Sequence, residues 1–227
     1  MVEIRFLGGL AVHELEPTEF QKLLNRPRLV ALLAYLAVRP GFRRRDTLIG
    51  LLWPESGQAL ARARLRKSLF RLRQALGNEA VLNRGAEEVA LATSVLRSDV
   101  GRFEQALAEG SAEQALTLYA GDLLPGFFLP DAPAWESWLE DERHRLRELA
   151  LTAALRLVRE CEANDRPEDA LRWAREACRV SPEDEPAAAT LIRLLAQRGD
   201  RVGAIRHFDR FARRLEKELD VEPSEEL

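Results

Sequence analysis

Apolar positions along the chain change period several times. Val2-Glu3-Ile4-Arg5-Phe6-Leu7 alternates with period two and stops at Gly8-Gly9. Leu10-Ala11-Val12-His13 follows, so a short strand pair is predicted at the N-terminus. From Pro27 the period lengthens. Leu29, Leu32, Leu33 and Leu36 share a helical face, Pro27 suits a first helical position because its missing N–H would have no partner there, and Pro40-Gly41 ends the element. After Arg43-Arg44-Arg45, Asp46 is placed to cap a second helix from Thr47 to Leu52, closed by Trp53-Pro54. A third helix is predicted from Ala59 to Leu76. At 100° per residue, Leu65, Leu69, Leu72 and Leu76 form a narrow stripe facing the core, with Ala61 and Ser68 beside it. Beyond Gly77, Ala80-Val81-Leu82 and Val89-Ala90-Leu91 flank Asn83-Arg84-Gly85-Ala86 as a β-hairpin. Strands, three helices and then a hairpin is the order of a winged helix with an N-terminal sheet.

From Asp99 onwards the pattern is helical almost without interruption. Phe103, Ala106 and Leu107 mark one helix, Glu113 to Tyr119 the next, Pro125 to Pro133 a loop, and Trp135 to about Ala163 a long amphipathic helix. A weak repeat follows: Ala170-Leu171-Arg172 returns as Ala204-Ile205-Arg206, each after a short polar break, and Pro182 and Pro223 sit at helix-ending positions. The offset of 34 is the tetratricopeptide period, in which small residues let paired helices pack closely. Two repeats are too few for a free-standing solenoid, so the preceding helices must complete the stack. The fold expected is therefore mainly α. A winged helix with a small sheet and a hairpin wing occupies residues 1–97, and an all-α tetratricopeptide-like domain occupies 98–227.

Charge separates the two parts. The 227 residues carry a net charge of −3, but residues 1–97 hold 16 basic and 9 acidic residues, net +7, and residues 98–227 hold 18 and 28, net −10. The segment Ala61–Gly77 carries six cations and no anion. Like charges at i,i+3 and i,i+4 on a helix cost roughly 0.2–0.5 kcal/mol per close pair. A merely solvated face would mix in Glu to avoid that, so the missing counter-ion is an external polyanion. Lys67, Phe70 and Gln74 lie opposite the leucine stripe, flanked by Arg64 and Arg71 on one side and Arg66 and Arg73 on the other. An aromatic in that field is suited to a thymine methyl or a sugar; the alternative for Phe70 is packing beneath the hairpin.

Enzyme chemistry finds no support. His13, His144 and His207 fall on separate elements, Glu140, Asp141 and Glu142 are consecutive on a helix and point in different directions, and Gly8-Gly9 is a lone doublet. No cofactor or metal is implied. Cys161 and Cys178 have no partner at metal-ligand spacing and read as small helix residues in a reducing compartment. The N-terminus lacks the pattern of a secretion signal, and the longest apolar run, Leu29 to Val38, is too short to span a bilayer. The expected location is the cytoplasm, away from membranes.

The stretch "RPRLVALLAYLAVRPGFRRRDTLIGLLWPESGQALARARLRKSLFRLRQALG" resembles the DNA-binding domain of the SARP family of bacterial transcriptional activators. The Leu-Leu-Ala helix, the Leu-Ile-x-x-Leu-Trp-Pro segment and the Arg-Leu-Arg-x-Ala-Leu-Gly close carry the likeness. "SDVGRFEQAL" and "AWESWLEDERHRLRELAL" resemble the start and middle of that family's bacterial transcriptional activation domain, and "DVEPS" its usual end. The family's hairpin usually carries a Gly-Tyr-Arg-Leu-like strand; this chain has Glu88-Val89-Ala90-Leu91, with Arg84 the only central cation of its wing.

The resemblance implies an activator that binds direct repeats on double-stranded DNA as a homodimer and recruits RNA polymerase through its sigma or core subunits. It places the third helix in the major groove with Arg62, Arg64, Arg66, Lys67, Phe70, Arg71 and Arg73 on its accessible sides. Arg43, Arg44 and Arg45 stand at the start of the second helix, where N–H groups also favour a phosphate. Trp53 to Gln58 corresponds to the loop that touches polymerase in related winged-helix activators, although Trp53 itself reads as core. The competing reading is a tetratricopeptide-like interaction scaffold without specific DNA binding. In that case Trp135, Trp138 and Trp173 would line a groove instead of packing between helices.

Overall fold

The computed structural model describes residues 2–13 and 25–224, and the chain divides into two compact units, neither continuous in sequence. The first comprises residues up to Glu109 and Thr117–His144; the second comprises Gly110–Leu116 and the residues from Arg145 onwards.

The first unit begins with β1 (Val2–Arg5) and β2 (Ala11–His13), the expected strand pair, joined antiparallel with Ile4 opposite Val12. A third strand, β6 (Leu96–Ser98), lies parallel to β1, which the alternation pattern did not disclose. Between β2 and β6 come α1 (Pro27–Val38), β3 (Arg43–Arg44), α2 (Arg45–Leu52), α3 (Gln58–Leu76), and the hairpin of β4 (Val81–Arg84) and β5 (Glu88–Leu91). Helix α1 is almost wholly interior. Leu29, Leu32, Leu33 and Leu36 are buried as expected, along with the alanines between them. Together with Leu48, Leu52, Trp53 and the α3 stripe they form the core of the helical triad.

Asp46 does not cap α2. The helix starts two residues earlier than expected, at Arg45, its N-cap position Arg44 makes no side-chain cap bond, and Asp46 sits in the first turn. Arg43 and Arg44 are drawn into an antiparallel ladder with Val89 and Glu88, and Arg45 N–H donates to Glu87 O at 2.8 Å. Strand pairing, not a cap, fixes where this helix begins. Helix α3 ends at Gly77, whose φ of +97° is a region that L side chains rarely adopt.

Groups beyond residue 97 complete this unit. Asp99, buried at the start of α4 (Asp99–Ala108), accepts the N–H groups of Phe6 at 3.0 Å and Leu7 at 2.8 Å. Leu7 bridges Leu123, and Gly8 N–H donates to Asp122 O. Gly8 has φ +74°, and a Cβ there would lie 2.9 Å from the Ala120 backbone, so only glycine fits. After α5 (Ala112–Leu118), Arg143 holds the following loop by donating to the carbonyls of Leu123 and Leu124. Trp135 is fully buried, and Trp138 stacks between it and Tyr35 with both ring separations 4.8 Å.

Helix α6 (Pro133–Ala163) passes from the first unit into the second at His144. The second unit continues with α7 (Pro167–Val180), α8 (Glu185–Gln197) and α9 (Arg201–Leu219), in which α7 packs on α8 and α8 on α9. The expected repeat is present as α7 and α9: Ala170 and Ala204 are both buried, where their small side chains let helices approach. The next position diverges. Leu171 is buried, while Ile205 is 61% exposed, because no further helix covers that side of α9 among the described residues. Trp173 is also interior. Cys161 is buried, Cys178 is half-buried, and both are free thiols.

Candidate nucleic-acid interface

Helix α3 buries Ala61, Leu65, Ser68, Leu69, Leu72 and Leu76, the stripe and its two flanking residues read from the sequence. With that face committed to the core, Arg62, Arg64, Arg66, Lys67 and Gln74 are exposed, and Arg71 and Arg73 are half-buried on the flanks. Phe70 is 57% exposed, so it does not pack beneath the hairpin. At 1.5 Å per residue, 19 helical residues give a rod of about 28 Å, carrying its cations along the whole solvent side.

These cations fall into two groups. The first has partners within the fold. Arg62 pairs with Asp46 at 3.4 Å, both side chains exposed, and Arg64 donates to Ser56 Oγ at 2.6 Å. Arg45 and Arg73 converge on Asn83 Oδ1 at 3.0 and 3.3 Å, and Arg73 also reaches Val81 O, so one asparagine on the hairpin ties α2, α3 and β4 together. Burial and then the neighbouring Arg73 charge lower the pKa of Arg45, with Glu87 opposing. Arg43 donates to the carbonyls of Arg39 and Pro40, closing the turn after α1. Arg84 pairs with Glu88 at 2.6 Å and lies 4.2 Å over the Phe42 ring, so its charge is already engaged on the wing. The second group has no polar side-chain partner among the described residues: Arg44, Arg66, Lys67 and Arg71.

Arg26 and Arg28 extend this array and were not read as site residues. They join Arg64, Lys67 and Arg71 around a cavity of about 340 Å³ walled by Leu29, Trp53 and Pro130, with no carboxylate among the described residues of its lining. Arg28 Nε donates to Leu52 O at 2.9 Å, which fixes its guanidinium at the rim. A local signal was available. Arg26 and Arg28 bracket the first helical proline in a turn without acidic residues, where the helix dipole disfavours cations. Among the described residues neither arginine has a carboxylate partner.

Chemically, the surface offers exposed guanidinium and ammonium donors in the field of two helix N-termini, with one aromatic among them. Such donors suit phosphate oxygens and the acceptors of base edges. Among the described residues no group of histidine, cysteine, aspartate or glutamate is arranged to hold a metal ion, and no helix is long and apolar enough to cross a membrane.

Residues 82–227 match the family model of the bacterial transcriptional activator domain. The chain belongs to that family. The match begins in β4, within the winged helix, whose preceding strands and helices complete the SARP-type arrangement that the sequence resembles. No curated protein matches. Among solved structures the chain is similar to Mycobacterium tuberculosis EmbR in complex with a low-affinity phosphopeptide, with TM-score 0.62 and 22% identity over 99% of this chain. The chain spans 62% of that protein's length. The likeness supports a shared fold, a winged helix followed by a helical domain. Membership places this chain in a family of bacterial transcriptional regulators.

Proposed function

We propose that the protein is a sequence-specific DNA-binding activator that inserts α3 into the major groove of direct-repeat sites and recruits RNA polymerase. The observation that carries this reading is the solvent face of α3, where Arg66, Lys67 and Arg71 stand around exposed Phe70 without a counter-charge among the described residues. Lys67 and Phe70, three residues apart and farthest from the buried stripe, are the base-reading candidates. Arg62, Arg64, Arg66, Arg71 and Arg73 line the groove walls. Arg44 and Arg45 at the α2 N-terminus, together with Arg26 and Arg28, clamp phosphates and set the register of the head on the duplex. Arg43 supports them by closing the turn before α2. Arg84, already paired and stacked, contributes at most a phosphate contact from the wing.

Polymerase contact falls to the loop between α2 and α3. Its Trp53 is interior, its Ser56 N–H closes a turn onto Trp53 O, and Glu55 remains outward. The helical remainder of the chain would pair two protomers, since its net negative charge opposes a run along DNA. Two heads on half-sites about one helical turn (~10–11 bp) apart meet the same face of the duplex.

The test uses the full chain and a duplex recovered from a random pool. Counter-ion release predicts a log K against log salt slope of about −4 to −6, roughly −0.9 per phosphate contacted. Shifting one half-site by about five base pairs, half a turn, should abolish cooperative binding. Affinity independent of salt removes the DNA-binding reading, and indifference to spacing removes the paired heads.

A further inference from the structure

A groove of about 540 Å³ runs between α7, α8 and α9 in the second unit. Its lining inverts the charge of the part of the chain that holds it. Arg175 and Arg179 stand one turn apart on α7, and Arg210 and Arg214 repeat that spacing on α9, about 6 Å along each axis. Between the two rows lies an apolar floor that includes Leu191, Leu195 and Phe211.

Two aspartates also reach the groove, yet both are engaged. Asp184 Oδ1 accepts the Ala187 N–H and Asp200 Oδ1 the Gly203 N–H, each at 2.8 Å, so both carboxylates cap helices. Of the arginines, Arg179 is held by Glu176, and Arg214 has a distant contact of 3.9 Å with Glu218. Arg175 and Arg210 have no carboxylate partner among the described residues. His207 lines the same groove with Nε2 buried and unpartnered, and its pKa is lowered by burial and then by Arg210.

We infer that this groove is a docking site for an acidic, amphipathic peptide segment of a partner protein. Paired rows of cations at a helical repeat match a series of side chains along a segment, whereas a single small anion would use one pair. The apolar floor takes the hydrophobic side chains of that segment, and the rims take its carboxylates. Arg175 and Arg210 supply the charge that the fold leaves uncompensated, and a buried pairing formed there is worth more than one on an open surface. The inference does not depend on the DNA-binding reading, since none of these residues lies on the α3 surface.

The experiment measures binding of the full chain to a short fluorescein-labelled peptide in which glutamate and leucine alternate. A lysine–leucine peptide and a glutamate–serine peptide serve as controls. The glutamate–leucine peptide should bind, and each control should bind at least about tenfold more weakly. The double variant Arg175→Glu/Arg210→Glu should lose peptide affinity by a similar factor while keeping its circular dichroism and its affinity for duplex DNA. Arg175→Lys/Arg210→Lys, which keeps the charge, should retain most of it. Three outcomes overturn the inference: no binding by the unaltered chain, equal binding of the lysine peptide, or equal binding by the charge-reversed variant. Loss of DNA affinity in that variant would also overturn it, by making the groove a nucleic-acid contact.

Discussion

Helix α3 and the helices of the second unit are both rich in arginine, and they treat it in opposite ways. Around α7, α8 and the end of α6 most cations meet carboxylates, the groove-facing Arg175 being an exception. Arg156 pairs with Glu160, Arg166 with Asp169, Arg193 with Glu162 at 2.7 Å, and Arg198 with Glu168. On α3 no carboxylate occurs within the helix, and among the described residues its one acidic partner is Asp46 on α2, at 3.4 Å from Arg62. The first pattern is what a solvated helical surface does to lower its own electrostatic energy. The second raises that energy, and so marks a surface whose counter-charge arrives from elsewhere. Arginine content alone does not distinguish the two.

The contrast can be broken or sharpened by substitution. The largest effect belongs to the buried carboxylate on which the first unit closes. Asp99→Ala leaves the Phe6 and Leu7 N–H groups without partners and should cost about 3 kcal/mol or more in chemical unfolding. Burial raises the carboxyl pKa of Asp99 above its ordinary value, with the N–H groups of Leu7, Phe6 and Val100 partly offsetting. The native state therefore holds this proton more tightly than the unfolded chain. The contribution from its titration is full below the ordinary value and is lost as pH rises through the raised one. Asp99→Asn should abolish that fall, seen as a variant-minus-native melting difference that changes with pH.

Next comes Lys67→Ala, which should cost roughly 1–3 kcal/mol of DNA affinity and relax preference at one or two base pairs. Arg44→Ala, by comparison, should weaken all duplexes alike and reduce the salt slope by about one. If both variants lose only uniform affinity, α3 is misoriented in the proposed complex. Smaller still, Arg193→Ala should lower stability by about 0.2–1 kcal/mol, since it removes an ion pair at the surface, and leave DNA binding unchanged. The Arg193 hydrogen bond lowers the Glu162 pKa, so this contribution is present above the ordinary carboxylate value and lost as pH falls through the depressed one. The smallest effect has the opposite sign. Arg66→Gln relieves like-charge repulsion on α3 and should raise stability by about 0.2–0.5 kcal/mol while weakening DNA binding. If Arg66→Gln and Arg193→Ala shift the melting temperature in the same direction, the contrast between the two surfaces fails.

What could be read in advance was local. The burial of Leu65, Leu69, Leu72 and Leu76 follows from a 3.6-residue period, and the bounds of α3 and of the hairpin were placed within one or two residues. The unbalanced charge of α3 needed only the sequence of that helix. What escaped depended on residues far apart in the chain. Arg43 and Arg44 become a strand only because Val89 and Glu88 come to lie beside them. Asp99 looked like a helix-start residue, and its deeper role lies 92 and 93 positions away at Leu7 and Phe6. Asp46 had the residue type of a cap, but the backbone was already tethered by β5. Arg26 and Arg28 carried a local signal in their acid-free turn, but the cavity they share with Lys67 and Arg71 of another helix does not show in the sequence.

The parallel pairing of β1 with β6 also sets a timetable. Strand β1 is synthesised about 90 residues ahead of the strand β6 with which it pairs. At roughly 5–20 residues per second it waits on the order of 5–20 s, and the basic helix is exposed within that interval. The nascent head thus carries its cations before it has the closing strand and the Asp99 staple that give them a fixed platform. Under the proposed function, a newborn chain meeting nucleic acid has charge without geometry, so its first associations are weak and indiscriminate. On the same proposal, selectivity waits until the segment Thr117–His144, which completes the first unit, has also been made.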